Sequence, residues 1–275
     1  MEKAVSITRL HPFFTQTVSA TTIGIIDSGV GGLSVLKEIR SLLPQNPLIY
    51  VGDSAWCPYG NKAPEEICQR VSQHTDFLLK QGASLIVVAC NSATIAAVEH
   101  LRATFPVPFV GMEPAIKPAT TQTKAGVIGV LATEASLAGE KFLRLVDQHG
   151  KDVRVITTPC PKFVDLVEAG IISGEEVDAA ISEYTSPILS EGADVLVLGC
   201  THYPFLKDAI SAVVGPEVTL LDTGPAVAKR VASLVEHPDN SDQAPITLHT
   251  TGSAQTLPAL LDVLLPGLVC EVRQA

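Results

Sequence analysis

The chain has 275 residues, and 29 acidic against 19 basic residues leave it a formal net charge of −10. That length supports one or two domains with their own hydrophobic core, and 46% hydrophobic with only 17% charged residues excludes a disordered chain. An acidic chain with 5% aromatic residues lacks the positive charge and the stacking surfaces that nucleic-acid binding needs. We therefore expect a globular protein with no nucleic-acid partner.

Short apolar runs alternate along the chain with segments of helical periodicity. Strands are predicted at 22–27, 48–52, 85–89, 108–112, 126–131, 153–157, 194–198, 218–221 and 246–250. Helices are predicted at 33–43, 64–80, 94–103, 136–149, 174–190, 205–213, 225–235 and 257–264. This alternation is typical of mainly parallel sheets flanked by helices, so the fold class is predicted to be α/β.

No segment reads as a membrane span or a secretion signal. The uncharged stretch 81–98 carries several polar residues and is too polar to cross a bilayer, and the first 20 residues lack an apolar core. We expect a cytoplasmic protein without a membrane partner, in which the six cysteines (57, 68, 90, 160, 200 and 270) are free thiols. The nearest metal-like pair, Cys68 and His74, has the wrong spacing to share a helix face, so no metal site is predicted.

Two segments of the chain echo each other. GASLIVVACNSAT at 82–94 matches GADVLVLGCTHYP at 192–204 with an offset of 110, and IGIID at 23–27 matches IGVLA at 128–132 with an offset of 105. We interpret the echo as two pseudo-symmetric α/β domains; the alternative is that all buried strands look alike. The predicted division is 22–117 plus about 225–275 as the first domain, 118–224 as the second, and 1–21 as an N-terminal extension, with Pro118 and a Thr/Gln-rich stretch interrupting the pattern at the boundary.

Two cysteines, Cys90 and Cys200, follow the matched strands where a helix is about to begin. Helix N-terminal amides lower a thiol's pKa, and the crevice of an open α/β sheet lies beyond the carboxyl ends of its strands. Two thiols facing each other across a cleft would let one remove a proton from a tetrahedral carbon while the other delivers one. Asp27 is expected to orient Cys90, and His202 to orient Cys200. A disulfide between the two cysteines is the alternative.

The glycine-rich loop 28–32 presents backbone amides to an anion. A dinucleotide fingerprint fails because Ser34 stands where its third glycine is required, although Asp53 lies near the distance for a ribose contact. A carboxylate suits the loop better. Tyr59 and Gly60 follow in a second loop whose hydroxyl and amide are expected to hold a second carboxylate, or which is a plain turn.

These motifs together make the chain resemble the glutamate racemase family. The matching pieces are DSGVGG at 27–32, PYG at 58–60, ACNSA at 89–93, VE at 167–168 within CPKFVDLVEAG, and GCTHYP at 199–204. The resemblance implies two α/β domains with the active site in the cleft between them, and cofactor-independent interconversion of L- and D-glutamate that supplies D-glutamate for peptidoglycan. It also implies a homodimer.

Residue roles come from the same resemblance. It implies that the thiols of Cys90 and Cys200 are the acid/base pair, acting on the D- and L-enantiomer respectively. It implies assistance from three further catalytic residues, Asp27, Glu168 and His202. Substrate contacts are expected from Asp27, Ser28, Tyr59, Gly60, Asn91, Ser92, Thr201 and His202.

The chain departs from the family pattern at three positions. Ser92 replaces a usual Thr but keeps the hydroxyl, Val130 replaces a frequent Thr while Thr133 is retained nearby, and Ser253 replaces a common Asp. The N-terminal extension is similar to that of members activated by a peptidoglycan precursor. The alternatives are an aspartate racemase, a related two-cysteine decarboxylase or isomerase, or a non-catalytic amino-acid-binding protein.

Overall fold

The computed structural model describes residues 20–235 and 242–275, and the predicted extension at 1–21 lies almost wholly outside them. Ten strands in chain order are β1 (Ile23–Asp27), β2 (Leu48–Gly52), β3 (Leu85–Val88), β4 (Phe109–Gly111), β5 (Val127–Ala132), β6 (Arg154–Pro159), β7 (Val195–Leu198), β8 (Thr219–Leu221), β9 (Ile246–Thr250) and β10 (Glu271–Gln274) in the described residues. They form a six-stranded sheet, β10-β9-β2-β1-β3-β4, and a four-stranded sheet, β6-β5-β7-β8. Every pairing in both sheets is parallel.

Helices flank both sheets, as the α/β prediction requires. The described α-helices are α1 (Leu33–Leu42), α2 (Pro64–Lys80), α3 (Asn91–Thr104), α4 (Ile116–Gln122), α5 (Glu134–Ala138), α6 (Glu140–His149), α7 (Pro161–Glu168), α8 (Glu175–Ser190), α9 (Lys207–Val214), α10 (Gly224–Ala232) and α11 (Leu257–Leu264). None of the helices in the described ranges is long and apolar enough to span a membrane.

The internal echo corresponds to a repeated strand order. The four strands β2-β1-β3-β4 of the larger sheet and β6-β5-β7-β8 of the smaller one have the same order, so β1 matches β5 and β3 matches β7. β1, β3 and β7 are buried along their whole length, because helices cover both faces of a parallel sheet. The last two strands return to the larger sheet beside β2. The residue boundaries of the two domains stay a prediction.

Several predicted elements are correct to the residue, and others are wrong. β2, β9, α2 and α11 begin and end where expected, whereas α7 and the edge strand β10 were not predicted. The interruption expected at the domain boundary is instead the short helix α4, because Pro118 falls in its first turn, where the missing N–H has no helical partner to lose. The helix expected over 136–149 is two helices, separated at Gly139 by extended backbone.

The two sheets come together at the carboxyl ends of their strands. Helix α5, which follows β5, contacts both α3 and the short 3₁₀ turn Tyr59–Asn61, which follow strands of the larger sheet. Helix α7 follows β6 and ends at Glu168, and its carboxylate reaches the loop after β1. The segments after β1, β3 and β7 therefore face one another.

Candidate active site

A small cavity lies where the strand ends of the two sheets meet. It is lined by Ser28, Pro58, Tyr59, Gly60, Cys90, Asn91, Ser92, Thr133, Val164, Cys200, Thr201 and His202. This set holds every residue expected to bind or act on a substrate except Asp27 and Glu168, which hydrogen-bond to the lining residues Thr201 and His202. The cavity volume is about 10 Å³, which is room for about one water molecule. The structure is therefore closed around the site.

Cys90 occupies the N-cap of α3, at the end of β3. Its Sγ accepts a hydrogen bond from the backbone N–H of Ala93 at 3.4 Å and lies 3.8 Å from Ser28 Oγ. The pKa of the Cys90 thiol is raised to about 12, chiefly by burial and then by the negative charge of Asp27, and the Ala93 amide only partly opposes them. The Ala93 amide lowers this pKa as expected, but burial outweighs it, so the net shift is upward.

Cys200, His202 and Glu168 form a connected chain at the end of β7. His202 Nδ1 lies 3.6 Å from Cys200 Sγ, and His202 Nε2 lies 2.7 Å from Glu168 Oε1. The expected contact between His202 and Cys200 is therefore present. Glu168 Oε1 also accepts a hydrogen bond from the backbone N–H of Val30 at 2.8 Å. The carboxylate thus holds the glycine-rich loop and the imidazole together.

The pair of His202 and Glu168 is charged. Burial alone lowers the pKa of His202, but its contacts with Cys200, Cys57 and Glu168 outweigh burial and place the pKa well above its ordinary value. Burial alone raises the pKa of Glu168, but the hydrogen bond and the charge of His202 bring it below its ordinary value. A protonated imidazole beside Cys200 and an ionised carboxylate behind it are the result at neutral pH.

Asp27 is fully buried and hydrogen-bonds to the loop that follows it. It accepts hydrogen bonds from the backbone N–H of Gly29 at 2.9 Å and from Thr201 Oγ1 at 3.1 Å. Burial raises the pKa of the Asp27 carboxyl, the charge of Glu168 adds to this, and His202 and Gly29 oppose it. The Asp27 oxygens accept from Gly29 and Thr201 rather than from the Cys90 thiol, and an orienting role of Asp27 toward Cys90 stays a prediction.

The glycine-rich loop passes close to the end of β7. A Cβ at Gly31 would lie 2.4 Å from His202 Nδ1 and 2.6 Å from Thr201 Oγ1. Ser34 donates a hydrogen bond to the Thr201 carbonyl at 2.8 Å and fixes this approach. A glycine is needed at position 31 because the loop and the Cys200–His202 segment could not otherwise touch.

Tyr59 lines the cavity, but its hydroxyl points away from it. The hydroxyl donates to Asp53 Oδ2 at 2.6 Å, and the same carboxylate forms a bidentate ion pair with Arg70 and accepts from Thr251 Oγ1 at 2.7 Å. The expectation that the Tyr59 hydroxyl holds a substrate carboxylate is therefore wrong. Asp53 likewise has no free oxygen for a ribose, which removes the basis of the dinucleotide alternative.

Asn91 is positioned to bind a ligand. It is the first residue of α3 and is buried, and it is one of the few residues in the described ranges with buried polar side-chain atoms that lack a hydrogen-bond partner. A buried amide without partners is costly, so a polar ligand in the cavity would satisfy it. Beside it, Ser92 Oγ lies 3.2 Å from Thr133 Oγ1, so the Ser at position 92 keeps a hydroxyl contact across the cleft.

Two residues in or beside the site were not among the predicted site residues. Thr133 was noted only as a retained hydroxyl, and it lines the cavity as the N-cap of α5. Cys57 lies 3.4 Å from Glu168 Oε1, and the ligand atoms of Cys57, Glu168 and His202 all lie within 4.8 Å of one another. The three come from distant parts of the chain, so no spacing pattern could have found them. Ser253 is exposed and caps the turn before α11, away from the cavity.

Comparison with known proteins gives a consistent picture. A profile of the Asp/Glu/Hydantoin racemase family matches residues 23–231. A glutamate racemase of Herpetosiphon aurantiacus is 52% identical over 217 residues, which cover 79% of this chain and 85% of that protein. A glutamate racemase of Ectopseudomonas mendocina is 48% identical over 251 residues, 90% of this chain and 95% of that protein.

Solved structures agree with the sequence relatives. A glutamate racemase isoform from Bacillus anthracis superposes with a TM-score of 0.84 at 30% identity, covering 93% of this chain and 97% of that one. Glutamate racemase from Escherichia coli, in complex with L-glutamate and the activator UDP-MurNAc-ala, gives 0.81 at 33% identity over 93% and 98%. Aspartate racemase from Picrophilus torridus gives 0.53 at 15% identity over 78% and 94%, and so shares the fold alone.

Proposed function

The chain belongs to the Asp/Glu/Hydantoin racemase family and is an amino-acid racemase, and we propose that it interconverts L- and D-glutamate through two thiols, Cys90 and Cys200. The observation that carries this proposal is that both thiols sit at equivalent strand ends of the two sheets and line one cavity. Glutamate rather than aspartate is favoured because the relatives named for glutamate share 43–52% identity.

The reaction is a proton exchange at Cα. For L-glutamate, the thiolate of Cys200 takes the α-proton, the electron pair stays on carbon next to the carboxylate, and the thiol of Cys90 delivers its proton to the opposite face. The reverse direction exchanges these roles, and no atom is gained or lost. Preorganised donors stabilise the developing charge most effectively in a site that excludes water. The backbone amides of the loop 28–32 and of the α3 N-terminus are the proposed donors.

His202 and Glu168 together act as the acid/base assistance for the thiol of Cys200. The protonated imidazole lies 3.6 Å from the sulfur and is held from behind by the carboxylate at 2.7 Å. A positioned acid/base group of this kind typically contributes 100-fold or more to a rate, on the order of 10² to 10⁴. Asp27 keeps the glycine-rich loop and Thr201 in register and assists as a positioning group. Asn91, Ser92, Ser28, Gly60 and Thr201 supply the polar contacts to glutamate.

The cavity is too small for the substrate as it stands. Its volume of about 10 Å³ holds about one water molecule. The cleft must therefore open before glutamate enters and close around it. We propose residues 22–117 with about 225–275, and 118–224, as the two domains that separate. Closure then excludes water from the thiols, which is what removal of a weakly acidic proton needs.

The biological setting follows the same proposal. D-glutamate made in the cytoplasm would supply peptidoglycan synthesis, the enzyme would act as a homodimer without a cofactor, and a precursor such as UDP-MurNAc-ala would activate it through the extension at 1–21. Deleting residues 1–20 should abolish stimulation by UDP-MurNAc-ala while leaving the unstimulated rate. Unchanged stimulation after the deletion would remove the extension from the proposal.

The decisive experiment follows L-glutamate by circular dichroism in D₂O without added cofactor. The wild-type protein should bring the signal to zero and place deuterium at Cα, while Cys90→Ala and Cys200→Ala should each abolish racemisation. Full activity in either variant contradicts the two-thiol scheme. Aspartate is offered in competition, because faster turnover of aspartate would transfer the assignment to the aspartate racemase alternative. Tight binding of glutamate without exchange at Cα would instead indicate a binding protein.

A further inference from the structure

Three potential metal ligands meet behind the proposed active site. Cys57 Sγ lies 3.4 Å from Glu168 Oε1, which lies 2.7 Å from His202 Nε2. Within residues 20–235 and 242–275, this is the group of three whose ligand atoms are all within 4.8 Å of one another. The three side chains reach this point from the loop after β2, the end of α7 and the loop after β7.

The side of this cluster that faces the glycine-rich loop carries no side chain. A Cβ at Gly29 would lie 1.9 Å from Glu168 Oε1 and 2.9 Å from Cys57 Sγ, so any other residue there would cover two of the three ligand atoms. The backbone N–H of Gly29 is held by Asp27 at 2.9 Å, which fixes the loop in this position. Glycine at position 29 therefore lets the loop pack directly against two of the ligand atoms, while the Glu168 side chain stays 22% exposed and Cys57 half-buried.

The donor set is the one that zinc prefers. Zinc in proteins takes thiolate, imidazole and carboxylate ligands at about 2.0 to 2.3 Å in a tetrahedron, which places ligand atoms about 3.3 to 3.6 Å apart. The separation of Cys57 Sγ and Glu168 Oε1, 3.4 Å, already falls in that range. His202 and Glu168 need to separate by only about half an ångström, the change expected when a metal ion replaces the proton between them.

We infer that Cys57, Glu168 and His202 form a zinc-binding site that shares two residues with the catalytic machinery. Three protein ligands leave a fourth position for water, and on binding the thiol of Cys57 and Nε2 of the protonated His202 each release a proton to solvent. Bound zinc coordinates Nε2 of His202 and the carboxylate of Glu168. The pair can then no longer exchange a proton with Cys200. Zinc is therefore an inhibitor of racemisation, a consequence that rests on the proposed function, whereas the binding itself does not.

Zinc binding is measured on the full chain, freed of metal with a chelator and desalted. Zn²⁺ is titrated against a chromophoric zinc chelator, and Co²⁺ is titrated as a probe whose thiolate complex gives an ultraviolet charge-transfer band. The wild type should bind one Zn²⁺ per chain and show the band. Cys57→Ser should lose the band and bind zinc about 100-fold more weakly, since even indirect damage to a site costs 10- to 100-fold. Cys68→Ser, in a half-buried thiol on α2 outside the cluster, is the matched control and should behave as wild type.

The inhibition is measured separately with L-glutamate. Micromolar Zn²⁺ should stop racemisation by the wild type and by Cys68→Ser, reversibly on addition of chelator, and should leave Cys57→Ser active. Equal zinc affinity in the wild type and Cys57→Ser, or zinc binding that Cys200→Ala abolishes and Cys57→Ser preserves, overturns the site. Because the binding titrations need no turnover, an absence of racemisation in every variant would contradict the proposed function alone. Far-ultraviolet circular dichroism confirms that each variant is folded.

Discussion

His202 and Glu168 meet at 2.7 Å although 34 positions separate them in the sequence. The same atom, Glu168 Oε1, also accepts a hydrogen bond from the backbone N–H of Val30 at 2.8 Å. One oxygen atom therefore joins α7, the glycine-rich loop and the end of β7. An interaction of this kind, between a buried protonated imidazole and a carboxylate, is a charge-assisted hydrogen bond of the stronger class. Glu168, at the end of α7, therefore determines how tightly His202 holds the proton that it exchanges with Cys200.

Replacing Glu168 with Gln should lower kcat by about 100-fold, the effect of losing one acid/base assistant. The amide no longer stabilises the charge of His202, so the pKa of His202 falls and the alkaline limb of the kcat/KM profile moves to lower pH. Initial rates of L-glutamate racemisation between pH 6 and 10 check this. Glu175→Gln, on the exposed first turn of α8, is the control; a pH profile in Glu168→Gln that matches wild type would contradict the assignment.

Replacing Asp53 with Asn should raise KM for glutamate about tenfold with little change in kcat. Asp53 anchors the cavity loop through Tyr59 and is itself held by Arg70, which stacks 4.3 Å from the ring of Trp56. The neutral amide weakens these charge-assisted bonds, each worth about 1.5 to 3 kcal/mol, so the loop is less ordered before substrate binds. Steady-state kinetics separate KM from kcat. Asp76→Asn, whose partner Lys80 is also exposed, is the control and should change neither constant. A tenfold fall in kcat with unchanged KM in Asp53→Asn would argue for a role in chemistry instead.

Replacing Gly31 with Ala should reduce kcat/KM by at least about tenfold, because the added methyl group displaces His202 and Thr201, which it would meet at 2.4 and 2.6 Å. Racemisation assays on the folded variant check this. Gly224→Ala is the matched control, since its Cβ would meet only the flexible side chain of Glu38 at 3.2 Å and the Asp222 carboxylate at 3.4 Å. Activity in Gly31→Ala equal to that of the control would show that the loop does not need this close approach.

Replacing Asp27 with Asn should impair catalysis and raise the stability of the fold at neutral pH. Burial holds the pKa of Asp27 above its unfolded value of about 3.9, so the native state binds this proton more tightly than the unfolded chain does. The wild type therefore loses stability as pH rises from about 4 through the raised native pKa, and Asn removes that loss. Urea unfolding of both proteins at pH 4 and pH 8 measures it; a stability difference that does not grow with pH would contradict the prediction.

The sequence by itself determined the local elements with strong signals. Strand β2 and helix α2 begin and end where predicted because an apolar run or a helical period fills each of them, and Pro64 with two acidic residues marks the start of α2. The matched cysteines and their strand ends were likewise visible, since burial and the polar residues that follow a strand repeat in both halves. The described part of the chain repeats the strand order accordingly.

Where the local sequence signal is weak, tertiary packing determines the secondary structure. Strand β10 is short, polar and mostly exposed, and only its pairing with β9 makes it a strand. Helix α7 has eight residues, of which Phe163, Val164, Leu166 and Val167 are buried, and its short apolar run carries no period long enough to separate a helix from a strand.

The chemistry of the site was decided almost entirely by the tertiary structure. Cys90 has a raised pKa because the whole protein buries it, Tyr59 gives its hydroxyl to Asp53, and Cys57 joins Glu168 and His202. Residue type and strand-end position are local properties that the sequence displays directly. Desolvation and hydrogen-bond partners depend on which distant segments come within about 4 Å of one another, and parallel sheets bring such segments together through crossovers of many residues.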